Sequence, residues 1–528
     1  MLSSIATYHR IISERYDKYR IMNDRLKKLF QIAVFFVSLQ VFYSYVGVYK
    51  YIGNRPSSIH MSAQCQRASI ALNYYRTDMN FFKPKIQRYI KGEGITGVEF
   101  PIIYYSAAIM YKLFGFNELY LRSISLILFS LGIFCFYLMA DKFIKNSVIS
   151  FMMVIAASLS PVLLFYTPNF MPDAPSMGLQ LMSWYFFFRY VNSNKNTHLN
   201  LFVFIGVMAA LIKAISAMVF IVVICLVVLD KLKLFKTDQK NYFFDAPLKV
   251  VARITLGFVS IIAWYAYASW LSVHYEYESF ALKPLMVDDW NVAKEIFVTI
   301  KNLWVNHYFA KEAYIVFGIA IAFVLILAKY ANRVLFSITI LYLLGSACYV
   351  YLFMYQFKWH DYYIIAILPL VFFTMLTFGE MITRFARNYV LPLQAIFIIA
   401  MFFNLKESAK LCKKNYNERY SRDIYYWTGD YRAYEDLEPK LRKAGIQRTD
   451  KFVSGYDDTY CSSLYLMDQI GVNFGAESSI QDIDAYIKDP AIKYLVLNDS
   501  ARLNKVYPND LANKVFLTHR GLIIYKLR

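Results

Sequence analysis

Apolar runs of about 20 residues recur between residues 30 and 405, and they constrain the fold of this chain more than any other feature. A helix of that length crosses the roughly 30 Å hydrocarbon core of a bilayer. Hydrophobic residues make up 58% of the chain and charged residues 18%, whereas soluble domains carry more charge. The sequence therefore predicts an α-helical polytopic membrane protein.

The predicted membrane helices number roughly eleven, within a range of about nine to thirteen. They lie near 30–51, 118–140, 147–166, 175–193, two within 199–229, 250–271, 312–329, 334–354, 362–380 and 389–405. Lys213 interrupts the stretch 199–229. Two helices that meet at Lys213 keep the basic segment DKLKLFKTDQK in the cytoplasm, as the positive-inside rule requires, whereas one long helix would expose it outside.

Charge and hydropathy divide the chain into three parts. Residues 1–29 are basic and are expected to be cytoplasmic, without a cleavable signal peptide. Residues 30–406 form the transmembrane domain, which includes a large first extracytoplasmic loop at 52–117. The helix count places 407–528 outside as a small soluble α/β domain, because KFVSGY, IKYLVLND and GLIIYKL have the pattern of short strands. One miscounted helix would move this domain to the cytoplasm.

Net charge and cysteine content argue against two other classes of protein. The formal net charge of +20 would suit nucleic acid, but the positive-inside bias explains much of it, and attraction to anionic lipid is the second explanation. The six cysteines show no CxxC and no metal-ligand spacing. We therefore expect neither a disulfide framework nor a zinc site.

Several charged residues fall on the predicted outer side. The stretch TPNFMPDAPSMG places Asp173 between two apolar runs, and the helix count puts it outside with Lys213 and the His360-Asp361 pair. Charged groups near membrane depth are costly and usually mark a function. We therefore expect a site at these helix ends, although Asp173 alone could be a helix cap.

The first outer loop adds further polar candidates. Residues 58–77 have a helical pattern, with His60, Gln64 and Arg67 beside an apolar stripe. The same pattern is typical of an interfacial amphipathic helix. Glu99 stands before a short apolar run that fits a membrane-skimming helix better than a crossing, and its carboxylate could simply cap that helix.

These elements together resemble the class C polytopic membrane glycosyltransferases, over about residues 30–405. The likeness rests on the acid-x-Pro helix EFPIIYYSAAIMYKLFG, the early arginine of NELYLRSISLILFSLG and the Pro-Asp of the second outer loop. LIKAIS around Lys213 and HDYYIIAILP at 360–369 look like further elements of the family. The branches it resembles are the protein O-mannosyltransferases and the lipid A aminoarabinose transferases.

The resemblance implies a reaction and a set of substrate-binding residues. Family members move a sugar from an undecaprenyl- or dolichyl-type phosphate to a protein, lipid or glycan outside the cytoplasm, and they invert the anomeric carbon. Cations and hydrogen-bond donors would stabilise the leaving phosphate, and tyrosines would bond the phosphate or pack on the prenyl chain. The candidates are Gln64, Arg67, Arg122, Lys213, His360, Tyr362 and Tyr363. Snorkelling, interfacial anchoring and an aromatic belt are the structural alternatives for Lys213, Arg122 and the tyrosines.

The chain departs from its relatives in the first outer helix. Relatives often carry an Asp-Glu pair there, and the matching register holds Ala63 and Gln64. The usual acid is therefore missing, and the candidate bases are Glu99 and Asp173, with His60 ranked after them. Glu99 is also the candidate ligand for a divalent metal ion, the one cofactor that the resemblance suggests.

The predicted function is glycosyl transfer, hexosyl or pentosyl, from a lipid-linked sugar. The expected partners are a polyprenyl-phosphate sugar donor, a lipid, glycan or protein acceptor and the bilayer, with no nucleic acid. The expected location is a bacterial inner membrane, with the site and the C-terminal domain on the periplasmic side. The alternatives are a transporter or flippase for a glycolipid or anion, and a surface polysaccharide polymerase or ligase. Transporters commonly show internal repeats, and the two halves of this chain show none.

Overall fold

The computed structural model describes residues 26, 29–89, 93–235, 244–275, 284–385, 390–421, 431–498 and 511–528. The predicted basic segment 1–29 lies outside the described residues except for Leu26 and Leu29. Part of DKLKLFKTDQK also lies outside them.

Helices make up most of the described chain before residue 421, and we number them in chain order. They are α1 Leu29–Val46, α2 Met61–Arg76, α3 Ile102–Phe114, α4 Leu119–Ile144, α5 Ser147–Ser158, α6 Pro161–Tyr166, α7 Asp173–Ser193, α8 Asn196–Ile212, α9 Met218–Lys231, α10 Pro247–His274, α11 Trp290–Tyr308, α12 Lys311–Ile326, α13 Arg333–Leu352, α14 Met354–Trp359, α15 Leu368–Phe385 and α16 Val390–Tyr420. Short 3₁₀ turns precede α9 at Ala214–Ala217 and α15 at Asp361–Ile367.

Six helices of the described chain are long and apolar enough to cross a membrane. They are α1, α4, α10 and α13, and α9 and α15 together with their 3₁₀ turns. The pair α11 and α12, bent by 97°, would add a seventh. The chain is thus an integral membrane protein. The figure of roughly eleven crossings stays a prediction, because several expected spans are shorter or interrupted.

Local sequence explains the interruptions. The expected span 147–166 divides into α5 and α6, where Ser160 caps α6 through a hydrogen bond from the Leu163 amide and Pro161 opens the helix. The stretch 199–229 likewise forms two helices, α8 and α9, with Lys213 at their junction. Such breaks place unpaired backbone groups at membrane depth, where they are tolerated next to protein or a polar cavity.

Three segments differ from the sequence-based expectation. The outer loop expected at 272–311 contains α11. The boundary expected at 406/407 falls inside α16, which continues to Tyr420. The helix expected to lie at the interface, α2, is buried along nearly its whole length, Gln64 and Arg67 included. An amphipathic pattern cannot tell a membrane surface from a protein surface, because both cover the apolar face.

The C-terminal region contains a five-stranded sheet. Its strands are β1 Lys451–Gly455, β2 Ile470–Phe474, β3 Ile492–Leu497, β4 Val515–His519 and β5 Leu522–Lys526, in the order β2-β1-β3-β5-β4. β1 pairs in parallel with β2 and β3, and β5 is antiparallel to β3 and β4. The helices α17 Leu437–Lys443, α18 Ser462–Leu466 and α19 Ile480–Lys488 accompany the sheet.

This sheet is docked on the segment 52–117 that follows α1. The amide of Gly471 donates to the Gln87 carbonyl at 3.1 Å, and the Tyr89 amide donates back to Gly471. Helix α18 packs on α2, and the Tyr465 hydroxyl donates to the Glu118 carboxylate at 2.5 Å. These contacts explain why α2 is buried. The side of the membrane on which the sheet lies stays a prediction.

Helices α4 and α7 approach closely at glycines. A Cβ at Gly178 of α7 would lie 2.6 Å from both the Leu128 carbonyl oxygen and the Phe129 Cα of α4, which is closer than real atoms pack. Both neighbours are backbone atoms, so they cannot move aside without separating the helices. Glycine at this position is what allows the two helices to touch.

We predict that Gly178→Ala lowers the free energy of unfolding by roughly 1–3 kcal/mol, because the added methyl overpacks this contact. The matched control is Gly318→Ala in α12, where a Cβ would meet nothing within 4 Å. The control should be neutral or slightly stabilising, since alanine is the better helix former. Thermal unfolding in detergent measures both, and equal midpoints for the two variants would contradict the close contact.

Candidate functional site

The candidate residues meet where several helices begin or end. His60 precedes α2, Asp173 opens α7, Lys213 lies between α8 and α9, and His360 precedes the 3₁₀ turn before α15. The last turn of α16 adds Arg419. Half-buried helix ends of this kind present both backbone and charged groups to one space, as in membrane sites for ions and anions.

Asp361 is the most heavily bonded carboxylate of this cluster. It is fully buried, and its Oδ2 accepts a hydrogen bond from Arg419 Nη2 at 2.5 Å. The Tyr166 hydroxyl donates to Oδ1 at 2.9 Å, and His60 Nε2 lies 3.3 Å from the same oxygen. Asp361 therefore joins α6, α16 and the segment before α2.

Aromatic rings connect this carboxylate to the rest of the cluster. The His60 ring stacks on His360 at 5.2 Å between centroids and meets Tyr362 edge-on at 5.1 Å. Lys213 Nζ lies 5.4 Å from the Tyr362 ring and 5.5 Å from the Tyr363 ring. The Tyr362 ring thus contacts both histidines and the lysine, which are brought into one neighbourhood.

Asp173 and Lys213 form a salt bridge at the edge of a small recess. Lys213 Nζ lies 2.8 Å from Asp173 Oδ1, while Asp173 Oδ2 is buried and makes no hydrogen bond within the described chain. Residues of α7, of the α8–α9 junction and of the 3₁₀ turn before α15 line the recess: Asp173, Met177, Gln180, Lys213, Ile215, Ser216, Ile365 and Ala366. The recess offers polar groups on one side and an apolar wall on the other.

Arg67 and Glu99 form a second salt bridge. Arg67 Nε donates to Glu99 Oε1 at 3.0 Å, and the Tyr104 hydroxyl donates to the same oxygen at 2.5 Å. Both charged side chains are almost buried. Glu99 is therefore a bonded partner of α2 and α3 rather than the helix cap that its position would also allow.

Each carboxylate of the cluster is thus matched by a cation, and exposure distinguishes the cations. The side chain of Lys213 is 26% exposed, that of Arg67 11% and that of Arg419 0%. A fully buried charge stays with its partner and supports the structure. A partly exposed charge can leave its partner and bind a ligand instead. Lys213 is therefore the cation most open to an anionic substrate.

His360 belongs to the cluster but not as a cation. Burial, and secondarily the neighbouring His60, lower the pKa of His360 to about 4. A histidine with this pKa is neutral at pH 7 and can donate or accept a hydrogen bond without adding charge. Of the two roles expected for His360, cation or hydrogen-bond donor, this pKa favours the donor.

Two predicted substrate-binding residues hold the backbone instead of joining the cluster. The Gln64 amide donates to the carbonyls of Ser57 and Ile59, at 2.9 Å each. Arg122, which is fully buried, donates to the carbonyls of Tyr51 and Arg55, to the Tyr420 hydroxyl, and packs on Phe170. Both side chains therefore brace the segment that leads into His60.

Three contributors escaped the sequence analysis. Arg419 lies beyond the expected end of the last membrane helix, while Tyr166 and Tyr104 are single tyrosines in a chain that has 46. Of these three residues, only Arg419 could have been found from the sequence. It continues the helical pattern of α16, and an arginine that is buried at a helix end usually has a carboxylate partner.

A metal site at Glu99 does not fit the geometry. Its carboxylate faces the Arg67 guanidinium, and a second cation there would be repelled. Among the residues that the structure describes, no three His, Cys, Asp or Glu side chains are grouped as metal ligands. We therefore describe the chemistry of this site through side chains alone.

Comparison with known proteins supports the resemblance. A family model described as dolichyl-phosphate-mannose-protein mannosyltransferase matches residues 99–255. The solved structure of ArnT from Cupriavidus metallidurans in the apo state has a TM-score of 0.56 at 10% identity, over 94% of this chain and 98% of that chain. ArnT bound to undecaprenyl phosphate gives 0.59, with the same identity and coverage.

An archaeal relative by fold extends the comparison. The oligosaccharyltransferase AglB from Archaeoglobus fulgidus, in complex with an inhibitory peptide and a dolichol-phosphate, has a TM-score of 0.55 at 10% identity. The match covers 89% of this chain and 69% of that chain. Sequence comparison with curated proteins gives no match. The resemblance to the protein O-mannosyltransferase and aminoarabinose transferase superfamily is confirmed, and at such low identity the structures show a shared fold.

We predict that Arg122→Lys lowers the free energy of unfolding by roughly 3 kcal/mol, because an ammonium group cannot reach all three oxygens and leaves buried carbonyls unbonded. The control is Arg333→Lys, an exposed arginine that donates to the Leu234 carbonyl and whose replacement should change stability little. Thermal unfolding in detergent measures both variants. Equal unfolding midpoints for Arg122→Lys and Arg333→Lys would contradict the bracing role of Arg122.

Proposed function

We propose that this protein is a membrane glycosyltransferase that uses a polyprenyl-phosphate sugar donor. The confirmed resemblance, the match to a mannosyltransferase family model and the shared fold with ArnT and AglB all support this proposal. The observation that carries it is the partly exposed Lys213, which lies between Asp173 and the rings of Tyr362 and Tyr363 at the edge of the recess.

The leaving group explains the need for this lysine. When a sugar leaves a phosphodiester donor, the lipid phosphate gains one negative charge. A cation already held in place by Asp173 stabilises that charge without reorganising, and this is how preorganised sites lower a barrier. Lys213 adjoins apolar helices, so a phosphate bound there would keep its prenyl chain in the membrane.

The acceptor hydroxyl must lose a proton as it attacks. Glu99, Asp173 and His60 border the cluster, and each is of a residue type that serves as a general base. Inversion requires the base and the leaving phosphate on opposite faces of the sugar. Lys213 and His60 both contact the Tyr362 ring, at 5.4 and 5.1 Å, so a cation for the phosphate and a candidate base are close to each other.

The proposal also assigns a side of the membrane to the site and a class of acceptor molecule. We propose that the site faces the extracytoplasmic side of a bacterial inner membrane, where the positive-inside distribution of charge puts it. The acceptor is a lipid, glycan or protein that approaches from the side of the docked C-terminal sheet. A flippase or transporter would move the donor intact, whereas a transferase releases polyprenyl phosphate.

We predict that the purified protein consumes a polyprenyl-linked sugar in the presence of an acceptor extract, with release of polyprenyl phosphate. Lys213→Met should bind undecaprenyl phosphate at least about tenfold more weakly and lose most turnover, because one charge contact is worth more than 1.4 kcal/mol. Both quantities are measured in nanodiscs, by lipid binding and by chromatography of the released lipid.

The matched control is Lys329→Met, an exposed lysine between α12 and α13, which should behave like wild type. Donor that crosses the bilayer unchanged, without release of polyprenyl phosphate, would favour the transporter instead. Wild-type affinity and turnover in Lys213→Met would remove the lysine from the mechanism.

We predict that a reporter fused after Arg528 gives an extracytoplasmic signal, because the count of crossings places the C-terminal sheet outside. A second reporter, inserted between Lys145 and Asn146 in the turn from α4 to α5, should give a cytoplasmic signal. The two reporters together measure the orientation of the protein in the membrane of intact cells. A cytoplasmic signal after Arg528 would contradict the proposed side of the site.

A further inference from the structure

The two carboxylates that could replace the missing acid are already engaged. The resemblance predicts an Asp-Glu pair where this chain has Ala63 and Gln64. Glu99 is bonded to Arg67, and Asp173 is bonded to Lys213. A bound cation favours the charged form of a carboxylate and so makes it a poor proton acceptor.

His60 has an unusual backbone that the surrounding structure maintains. Its φ of 57° and ψ of 32° are left-handed, a conformation that costs a residue other than glycine roughly 1–3 kcal/mol. Gln64 bonds the carbonyls on both sides of Ser58, and Arg122 bonds the carbonyls of Tyr51 and Arg55. Strain that is held by so many buried bonds marks a position where the direction of the side chain matters.

The Asp361 carboxylate lies beside the imidazole of His60. Arg419 at 2.5 Å and Tyr166 at 2.9 Å hold the carboxylate with its Oδ1 3.3 Å from His60 Nε2, a buried atom that makes no hydrogen bond within the described chain. Contacts of this kind are often long in ligand-free enzymes. A carboxylate beside Nε2 favours the tautomer with the proton on that nitrogen and leaves Nδ1 as the basic atom.

We propose that His60 is the general base of the transfer reaction and that Asp361 is its positioning residue. The proposal rests on the function proposed above and assigns a role within that same site. The structure favours the histidine over the two carboxylates because its partner is an acceptor that promotes protonation, whereas theirs are cations that oppose it.

With a phosphodiester donor, one bond forms and one bond breaks at the anomeric carbon. His60 Nδ1 takes the hydroxyl proton while the acceptor oxygen bonds to the anomeric carbon. The bond from that carbon to the phosphate oxygen breaks, and its electron pair leaves with the polyprenyl phosphate. The phosphate thereby gains one negative charge beside Lys213. The imidazolium then gives its proton to water, and neutral His60 is restored.

The groups that face His60 set the pH at which it works. Asp361 stabilises the imidazolium, and the rings of His360 and Tyr362 contact the imidazole. The cations Arg419, which pairs with Asp361, and Lys213, which contacts Tyr362, oppose a positive charge on His60. Only the neutral imidazole accepts a proton, so the rate rises with pH along the acidic limb of the kcat/KM profile.

The first test removes the base. His60→Ala should lose about a hundredfold or more in kcat while undecaprenyl phosphate binding stays within about twofold. The control His198→Ala removes a partly exposed histidine from the far end of α8, about 20 Å along that helix from Lys213, and should keep full activity. Adding Ala63→Asp to His60→Ala should restore part of the activity, because it returns a carboxylate to the register of the relatives.

The second test moves the acidic limb of the pH profile in two directions. Asp361→Asn removes a negative charge that stabilises the imidazolium, so the acidic limb should shift to lower pH. Tyr166→Phe keeps the buried ion pair and removes one donor to Asp361, so the carboxylate becomes more basic and the limb should shift to higher pH. A purely structural role would lower the rate equally at every pH.

The outcomes separate this proposal from the one on which it rests. Wild-type protein that transfers no sugar from any polyprenyl donor overturns both. Transfer by wild type, with more than a third of its kcat kept by His60→Ala, overturns the base alone. An acidic limb that stays in place in both Asp361→Asn and Tyr166→Phe overturns the positioning role.

Discussion

The fully buried ion pair between Asp361 and Arg419 is the interaction on which the arrangement of the site depends. Removal of one partner from such a pair leaves an uncompensated charge that typically costs about 3–5 kcal/mol. The pair ties the last turn of α16 to the turn before α15, and Tyr166 adds the end of α6. Three helix ends are therefore held in one place, and His60 is aimed at their shared carboxylate.

The charged residues at membrane depth are divided between support and chemistry. Arg419, Arg67 and Glu99 are nearly or fully buried with partners, and such groups organise a structure without exchanging partners readily. Lys213 keeps a quarter of its surface exposed beside a recess, and it can therefore receive an anion. Because all three cations are paired, their exposure decides which of them is available to a substrate.

The C-terminal sheet influences the site through α2 rather than through residues of its own in the cluster. The backbone at 87–89 pairs with the β2 edge, and α18 covers the helix that follows His60. An isolated helix as short as α2 is only marginally stable in water, so most of the stability of α2 must come from packing. Docking of the sheet therefore helps to maintain the strained turn at His60.

The sequence alone determined the helical class, the break at Lys213 and the position of Asp173 at a helix start, because hydropathy and proline act over a few neighbouring residues. It also identified His60, Arg67, Glu99, Lys213 and His360 as candidates, through helical pattern, predicted topology and the resemblance to a known family. It could not assign their partners, since charge pairing depends on contacts between distant segments. Only the tertiary structure brought Arg419 to Asp361, turned Gln64 and Arg122 towards the backbone, and left His60 beside a carboxylate while Glu99 and Asp173 faced cations.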